Sequence, residues 1–207
     1  MFDLPLFEGR YVRLEPLSHS HAEGLLAAAT ADPSLYQWSQ VPQTASEMAR
    51  YIEIALQQGE AGKATPFATV RVADGAVIGS TRFFDLDHWA WPAGHERNGR
   101  ETADVGEIGY TWLTATAIRT GANTEAKLLM LTHAFEAWNM LRICLHTDER
   151  NYRSRTAIVR IGARFEGILR SHRMAADFIP RNSARYSIVA SEWPGIKQRL
   201  TRRLHPA

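Results

Sequence analysis

One cysteine in 207 residues leaves Cys144 without a partner, which excludes an internal disulfide and a cysteine-based metal cluster. It lies in Arg142-Ile143-Cys144-Leu145-His146-Thr147, which alternates like a strand, so a small buried hydrophobe is expected rather than a nucleophile. Lysine is nearly as scarce: Lys63, Lys127 and Lys197 are the full set, and arginine carries the basic balance. Net charge is only +2. No apolar stretch approaches the roughly 20 residues that span a bilayer. The segment Met1–Arg10 lacks the basic start and apolar run of a secretory signal, so a soluble, cytoplasmic protein with no membrane partner is expected. Ser/Gly-rich linkers, low-complexity runs and internal repeats are also missing. His88 and His95, seven apart without an accompanying carboxylate or cysteine pattern, give no expectation of a metal.

What is present is enough for one core. With 45% hydrophobic residues, the chain reads as a single domain over 1–207. Tyr11 to Leu17 alternates up to its proline and reads as a strand. Ser20 to Ala31 reads as a helix with Ser20 as its cap, ended by Asp32-Pro33. Thr44-Ala45-Ser46-Glu47 is a capping box that opens a second helix. Thr65 to Val72 and Ala76 to Asp85, joined by Ala73-Asp74-Gly75, read as a hairpin. Leu86 to Val105 is irregular and carries Trp89 and Trp91; a long connection of this kind is the expected place for acceptor recognition. The tryptophans themselves read as packing residues or a dimer contact.

Val105 to Leu113 reads as the next strand. The helix after Thr124 places Leu128, Leu131, Phe135 and Trp138 on one stripe. A strand at Arg142–Thr147 leads to a helix at Asn151–Ile161, stopped by Gly162. Two closing strands, Phe165–Leu169 and Arg185–Ala190, precede a helix at Glu192–Leu204 with Pro194 in its first turn. The whole implies an α/β (α+β) fold with a mixed, mostly antiparallel sheet of about seven strands flanked by helices.

Two segments carry chemistry. Glu107-Ile108-Gly109-Tyr110-Thr111-Trp112-Leu113 followed by Arg119-Thr120-Gly121-Ala122-Asn123-Thr124-Glu125-Ala126-Lys127 is a strand, a loop and a turn opening into a helix. Backbone N–H groups and the positive end of the helix dipole converge there, which suits a pyrophosphate. The second is the helix start Asn151-Tyr152-Arg153-Ser154-Arg155, followed by Ile161-Gly162-Ala163.

In this order and spacing the segments resemble the GNAT acyltransferase superfamily, and within it the ribosomal-protein N-terminal acetyltransferase (RimJ/RimL-like) branch. The likeness runs from Arg13-Leu14-Glu15-Pro16-Leu17 through Phe165-Glu166-Gly167 to Glu192-Trp193-Pro194. It implies acetyl-CoA as cofactor, with Thr111, Trp112, Leu113, Arg119, Thr120, Gly121, Ala122, Asn123, Thr124 and Asn151 holding it. The family pattern Gln/Arg-x-x-Gly-x-Gly/Ala, anchored on Thr124-Glu125-Ala126, puts its central glycine on Gly121. Its first and last positions fall on Ile118 and Asn123, so this copy departs at both ends. Gly121 is expected to keep the bend.

Acyl transfer to an amine needs a neutral amine, a stabilised oxyanion and a protonated leaving thiolate. Free α-amino groups have a pKa of about 8 and lysine about 10.4, so a base or a water chain must take a proton. The resemblance implies Glu107 as that base, in an apolar setting of Ile108, Tyr110 and Trp112; a structural carboxylate paired with an arginine across the sheet is the other reading. Relatives often place a tyrosine acid where this chain has Ile158, which leaves Ser154 to serve the departing sulfur; a first-turn serine bonding its own backbone is the plainer reading. Asn151 is the implied pantetheine contact and also a plain N-cap. A backbone N–H of the strand ending in Thr111-Trp112-Leu113 is the implied oxyanion donor.

The expected activity is N-acetyl transfer to a primary amine, which includes a protein N-terminus among the acceptors. A homodimer is left open. Two other functions compete: a non-catalytic acyl-CoA-binding module, and an arginine-rich nucleic-acid-associated protein. The arginines between Arg150 and Arg173 and at Arg199, Arg202 and Arg203 read more simply as a solvated basic face, or as a rim that draws in a polyanionic cofactor.

Overall fold

The alternating and apolar runs pair into one sheet. The computed structural model describes residues 6–205, so the first half of Met1–Arg10 and the last two residues of the 1–207 domain lie outside the described residues. The strands are β1 (Phe7–Glu8), β2 (Val12–Pro16), β3 (Ala64–Arg71), β4 (Val77–Asp87), β5 (Val105–Leu113), β6 (Arg142–Asp148), β7 (Arg164–Met174) and β8 (Pro180–Val189). Their order across the sheet is β1-β2-β3-β4-β5-β6-β8-β7. The β5–β6 pair is parallel and its neighbours on either side are antiparallel. Eight strands stand where about seven were expected. The addition is β1, two residues long and so without a periodicity to read.

Five α-helices cover the sheet: α1 (Ala22–Thr30), α2 (Ala45–Glu60), α3 (Ala122–Thr132), α4 (Tyr152–Arg160) and α5 (Trp193–Leu204). The capping box of α2 forms, with Glu47 N–H donating to Thr44 Oγ1 at 3.3 Å and Thr44 N–H to Glu47 Oε2 at 3.1 Å. The start of α1 differs from expectation. A 3-10 turn at His19–His21 comes first, so Ser20 sits inside that turn and does not cap the helix. The His21 ring folds back to accept from Ser18 N–H at 3.1 Å, which closes the turn one residue early.

The stripe expected along α3 is rephased. Leu131 and Phe135 are buried, but Leu128 and Trp138 are only half-buried, and Ala122, Ala126, Met130 and Ala134 complete the buried face. The helix passes into a π-helical turn at His133–Ala137, whose wider i→i+5 bonding shifts every later side chain around the axis. The closing strands run longer than their apolar cores, because β7 and β8 form a hairpin whose ends are polar.

Two cores result. Val12, Leu14, Phe83, Ile108 and Ile143 pack with buried residues of α3, α4 and α5, while Ala68 and Trp112 pack with α1 and α2. Glu125, in the first turn of α3, joins the sheet to that helix. Its carboxylate accepts the backbone N–H groups of Arg10, Tyr11 and Val12 at 2.9, 2.6 and 2.8 Å. Among the described residues, no helix is long and apolar enough to cross a membrane.

Candidate active site

A break in the sheet makes the site. β5 and β6 pair only at Val105–Arg142, Gly106–Ile143 and Glu107–Cys144. Beyond Glu107 both strands continue, β5 along β4 and β6 along β8, but away from each other. The bend comes from a bulge. Arg82 faces Gly109 and Ser80 faces Trp112, so Tyr110 and Thr111 together oppose Thr81. Tyr110 takes a left-handed conformation, φ 51°, unusual for a bulky side chain. Lys127 of α3 braces the bulge: Nζ donates to Thr81 Oγ1 at 2.9 Å and to Thr111 Oγ1 at 2.7 Å. The parted strands open a cleft of about 860 Å³, with Gly109 to Leu113 on one wall and Leu145 to Thr147 on the other.

The starts of α3 and α4 close the cleft. Arg119, Thr120, Asn123, Asn151 and Ser154 all line it, as do Thr111, Trp112 and Leu113. A smaller cavity of about 420 Å³ adjoins the α3 start and is lined by Arg119, Thr120, Gly121, Thr124, Arg160 and Arg203, among others. Ala122 differs from its neighbours: it is buried in the core and lines neither cavity. Its N–H donates to Thr120 Oγ1 at 3.1 Å, so helix geometry leaves the N–H groups of Asn123 and Thr124 for an anion. The bend is also displaced. Arg119 carries the positive φ, 62°, while Gly121 is right-handed. Gly121 is required for another reason, since a Cβ there would lie 2.9 Å from the Tyr11 ring.

Glu107 sits at the crotch of the fork, 5% exposed. Its setting is not the apolar one expected from its neighbours in sequence. Ile108 turns to the opposite face of the sheet, into the α3 core, as strand alternation requires. The carboxylate meets polar groups instead: His146 Nδ1 is 2.7 Å from Oε2, and Arg173 Nη2 is 3.7 Å away. Oε1 lies over Gly109, where an added Cβ would come within 3.5 Å of it. At α4, Asn151 caps the helix by accepting Ser154 N–H at 3.0 Å. The serine therefore joins the cap through its backbone and is one of the residues that line the cleft. Ile158, the position at which the resemblance implies a tyrosine in many relatives, is buried.

The tryptophan loop is elsewhere. None of residues 86–106 lines the cleft, so the loop expected to recognise the acceptor lies away from it. Asp104 gathers the loop by accepting from Trp89 N–H at 2.9 Å, Trp91 Nε1–H at 2.8 Å and Arg97 Nη1 at 3.3 Å. Arg97 and Arg100 then tie it to Asn139 and Trp138 beyond α3. Position decides this: the loop leaves the paired end of β5, and the cleft opens at the other.

Three polar groups of the cleft carried no sequence signal. Lys127, Arg82 and His146 sit in ordinary helical or strand patterns, and only the parting of β5 from β6 brings them to one space. Cys144 is buried as expected, although Arg142 Nε donates to its sulfur at 3.2 Å. Among the described residues, no group of three or more His, Cys, Asp or Glu is placed to hold a metal ion.

Residues 12–164 match the acetyltransferase (GNAT) domain family. A GCN5-related N-acetyltransferase from Brucella melitensis shares 30% identity, with a TM-score of 0.82 over 99% of this chain and 87% of that one. At 22% identity, RimJ from Mycobacterium smegmatis, solved in complex with CoA-disulfide, superposes with a TM-score of 0.76 over 93% and 88% of the two chains. A ribosomal-protein-S5-alanine acetyltransferase from Vibrio fischeri, 15% identical, gives 0.70 over 91% and 98%. The last two likenesses are of fold. No curated protein matches the chain. The chain belongs to the GNAT acetyltransferase family.

Proposed function

We propose that this chain is an acyl-CoA-dependent N-acyltransferase that moves acetyl from acetyl-CoA to a primary amine. The observation that carries the reading is the fork. Two parallel strands part after three paired positions, freeing backbone edges in a cleft that has the start of α3 at its rim and a buried carboxylate at its base.

The residues present fit coenzyme A. Arg119, Arg160 and Arg203 around the smaller cavity supply cationic partners for phosphates, beside the N–H groups of Asn123 and Thr124. The freed edge of β5 from Thr111 to Leu113 supplies donors and acceptors for an amide-bearing arm, with Asn151 opposite. When bound, the cofactor contributes an activated acyl thioester.

The chain then has three tasks. Glu107 takes the proton of the incoming amine at Oε1, the oxygen that His146 does not engage. Ser154 donates from Oγ to the departing sulfur. A backbone N–H on the freed edge of β5 meets the negative charge that grows on the carbonyl oxygen. Holding both substrates in one cleft supplies the rest of the rate, since effective molarity is the largest lever in a bimolecular transfer. The RimJ/RimL-like resemblance makes a protein N-terminus one acceptor to test.

Two measurements separate binding from chemistry. Calorimetry with acetyl-CoA, succinyl-CoA and free coenzyme A reads the cofactor, and thiol release with an amine panel reads turnover. Glu107→Gln should lower kcat about a hundredfold, with cofactor affinity unchanged. An unaltered rate across the pH range removes Glu107 as base. Cofactor binding with no turnover on any amine would make the chain a binding module.

A further inference from the structure

Arg82 is the largest fully buried side chain among the described residues, 1% exposed, and it lines the cleft. Among the described residues, its guanidinium has no carboxylate partner. Nη1 donates to the neutral Gln58 Oε1 at 3.1 Å, while Nε and Nη2 are buried with no partner. The rings of Tyr110 and Tyr51 flank it, with centroids 4.0 and 5.1 Å from the guanidinium carbon. Arginine does not shed its charge by deprotonation. The two vacant nitrogens form the edge of the fork that grips a carboxylate with two parallel bonds.

Position gives this charge a meaning. Arg82 pairs with Gly109, and Phe84 pairs with Glu107, so Arg82 and Glu107 share one face of the sheet as diagonal neighbours. Such neighbours lie about 7–8 Å apart. Between them lies Gly109, which presents no side chain and has the edge of the Phe84 ring against it. Of the other cations near Glu107, Arg173 donates to Asp85 at 2.8 Å, and Arg181 donates to Ser183 at 3.1 Å and feels the charge of Asp148. Arg82 is also apart from the smaller cavity at the α3 start, so phosphates bound there leave it unsatisfied.

We propose that Arg82, with Gln58 and the two tyrosine rings, is an acceptor subsite for an anion, and that the amine acylated beside Glu107 carries a carboxylate a few atoms from its nitrogen. This rests on the transferase reading and narrows it. The carboxylate displaces the weaker Gln58 amide contact and closes on Nε and Nη2, which places the amine over Glu107 Oε1. Polycationic acceptors are excluded by the same charge. The carboxylate has two sources, a free amino acid or the acidic first residue of a peptide.

The test compares acceptors matched except for charge. Alanine against alaninamide and 4-aminobutanoate against butylamine represent free amino acids; amidated Glu-Ala-Ala against amidated Gln-Ala-Ala represents peptide N-termini. The carboxylate member of at least one pair should show kcat/KM at least tenfold higher, and the pair that responds names the source. Arg82→Gln should abolish the preference through KM, while affinity for coenzyme A stays unchanged. Should that variant fail to fold, the wild-type comparison stands by itself: equal or better turnover of the neutral members in every pair overturns the subsite. Should no amine turn over, calorimetry of the protein with the same six compounds decides separately. Selective binding of carboxylates would keep the subsite while the transferase reading fails, and no selectivity would end the subsite.

Discussion

Lys127 is buried to 4% exposure with no carboxylate partner among the described residues, and burial pushes its ammonium down to about 7 from an ordinary 10.5. The unfolded chain keeps the ordinary value, so between about pH 7 and 10.5 it binds more protons than the folded one. Stability therefore rises with pH across that window. Below about pH 7 the full penalty is in place, on the order of 5 kcal/mol relative to high pH. Lys127→Met removes the charge and keeps the stem, and the bond between Thr81 and Thr111 at 2.8 Å still satisfies both hydroxyls. Urea midpoints should climb from pH 7 to 9 in the wild type and stay level in the variant, a difference of about 2–3 kcal/mol. Equal slopes would show that the cleft solvates the amine. At this scale the sequence was half legible. Glu107, Asn151 and Ser154 stood out because they begin or end recognisable segments. Lys127 and Arg82 did not, because one lysine on a helix and one arginine on a strand look solvated until the opposing elements are known.

Elements were easier to read than their ends. The capping box of α2, the hairpin around Gly75 and strand β5 all appear where local pattern placed them, since each depends on contacts a few residues apart. The π-helical turn after α3 and the 3-10 turn before α1 depend on packing, and no local periodicity reports it. The tryptophan loop shows the same limit. Its composition suggested function, yet the Trp91 ring and the Trp89 backbone serve Asp104. Burial alone would raise that carboxyl, but bonds from Trp89, Trp91 and Arg97 outweigh burial and hold it below the usual carboxylate range. Asp104→Ala leaves the Trp89 and Trp91 donors unpaired and the Arg97 charge without its carboxylate, and should cost about 3 kcal/mol of stability. Amide exchange should quicken across 88–104, while coenzyme A affinity should not change. Weakened cofactor binding would return the loop to the site. Glu125 makes a matching test on the other side of the sheet. Glu125→Ala strands three backbone donors between β1 and β2, and a loss of about 3 kcal/mol is expected in denaturant unfolding.

Across the whole molecule, charge is sorted by origin. Several arginines of the basic stretch are engaged within the chain: Arg164 with Glu192, Arg155 with the Tyr186 hydroxyl, Arg150 with Asp148 and over the Trp38 ring. That leaves little of a continuous nucleic-acid face. Arg119, Arg160 and Arg203 differ, since they come from the α3 turn, α4 and α5 and converge on one small cavity. No segment of sequence contains this convergence, which needs α5 to return across α3 and α4 before it exists. If the cavity receives the cofactor phosphates, affinity for coenzyme A must fall as salt rises, because these contacts border solvent and are screened. Replacing Arg160 and Arg203 together by glutamine removes two such contacts. At about 0.7 kcal/mol each, affinity should drop about tenfold. The slope of log Kd against log salt should flatten, and kcat at saturating cofactor should hold, because Arg203 lines only the smaller cavity and Arg160, which borders both, has no task in the transfer itself. A full salt slope in the double variant would mean that the phosphates bind along the main cleft instead, with Arg119 and Arg153 as their partners.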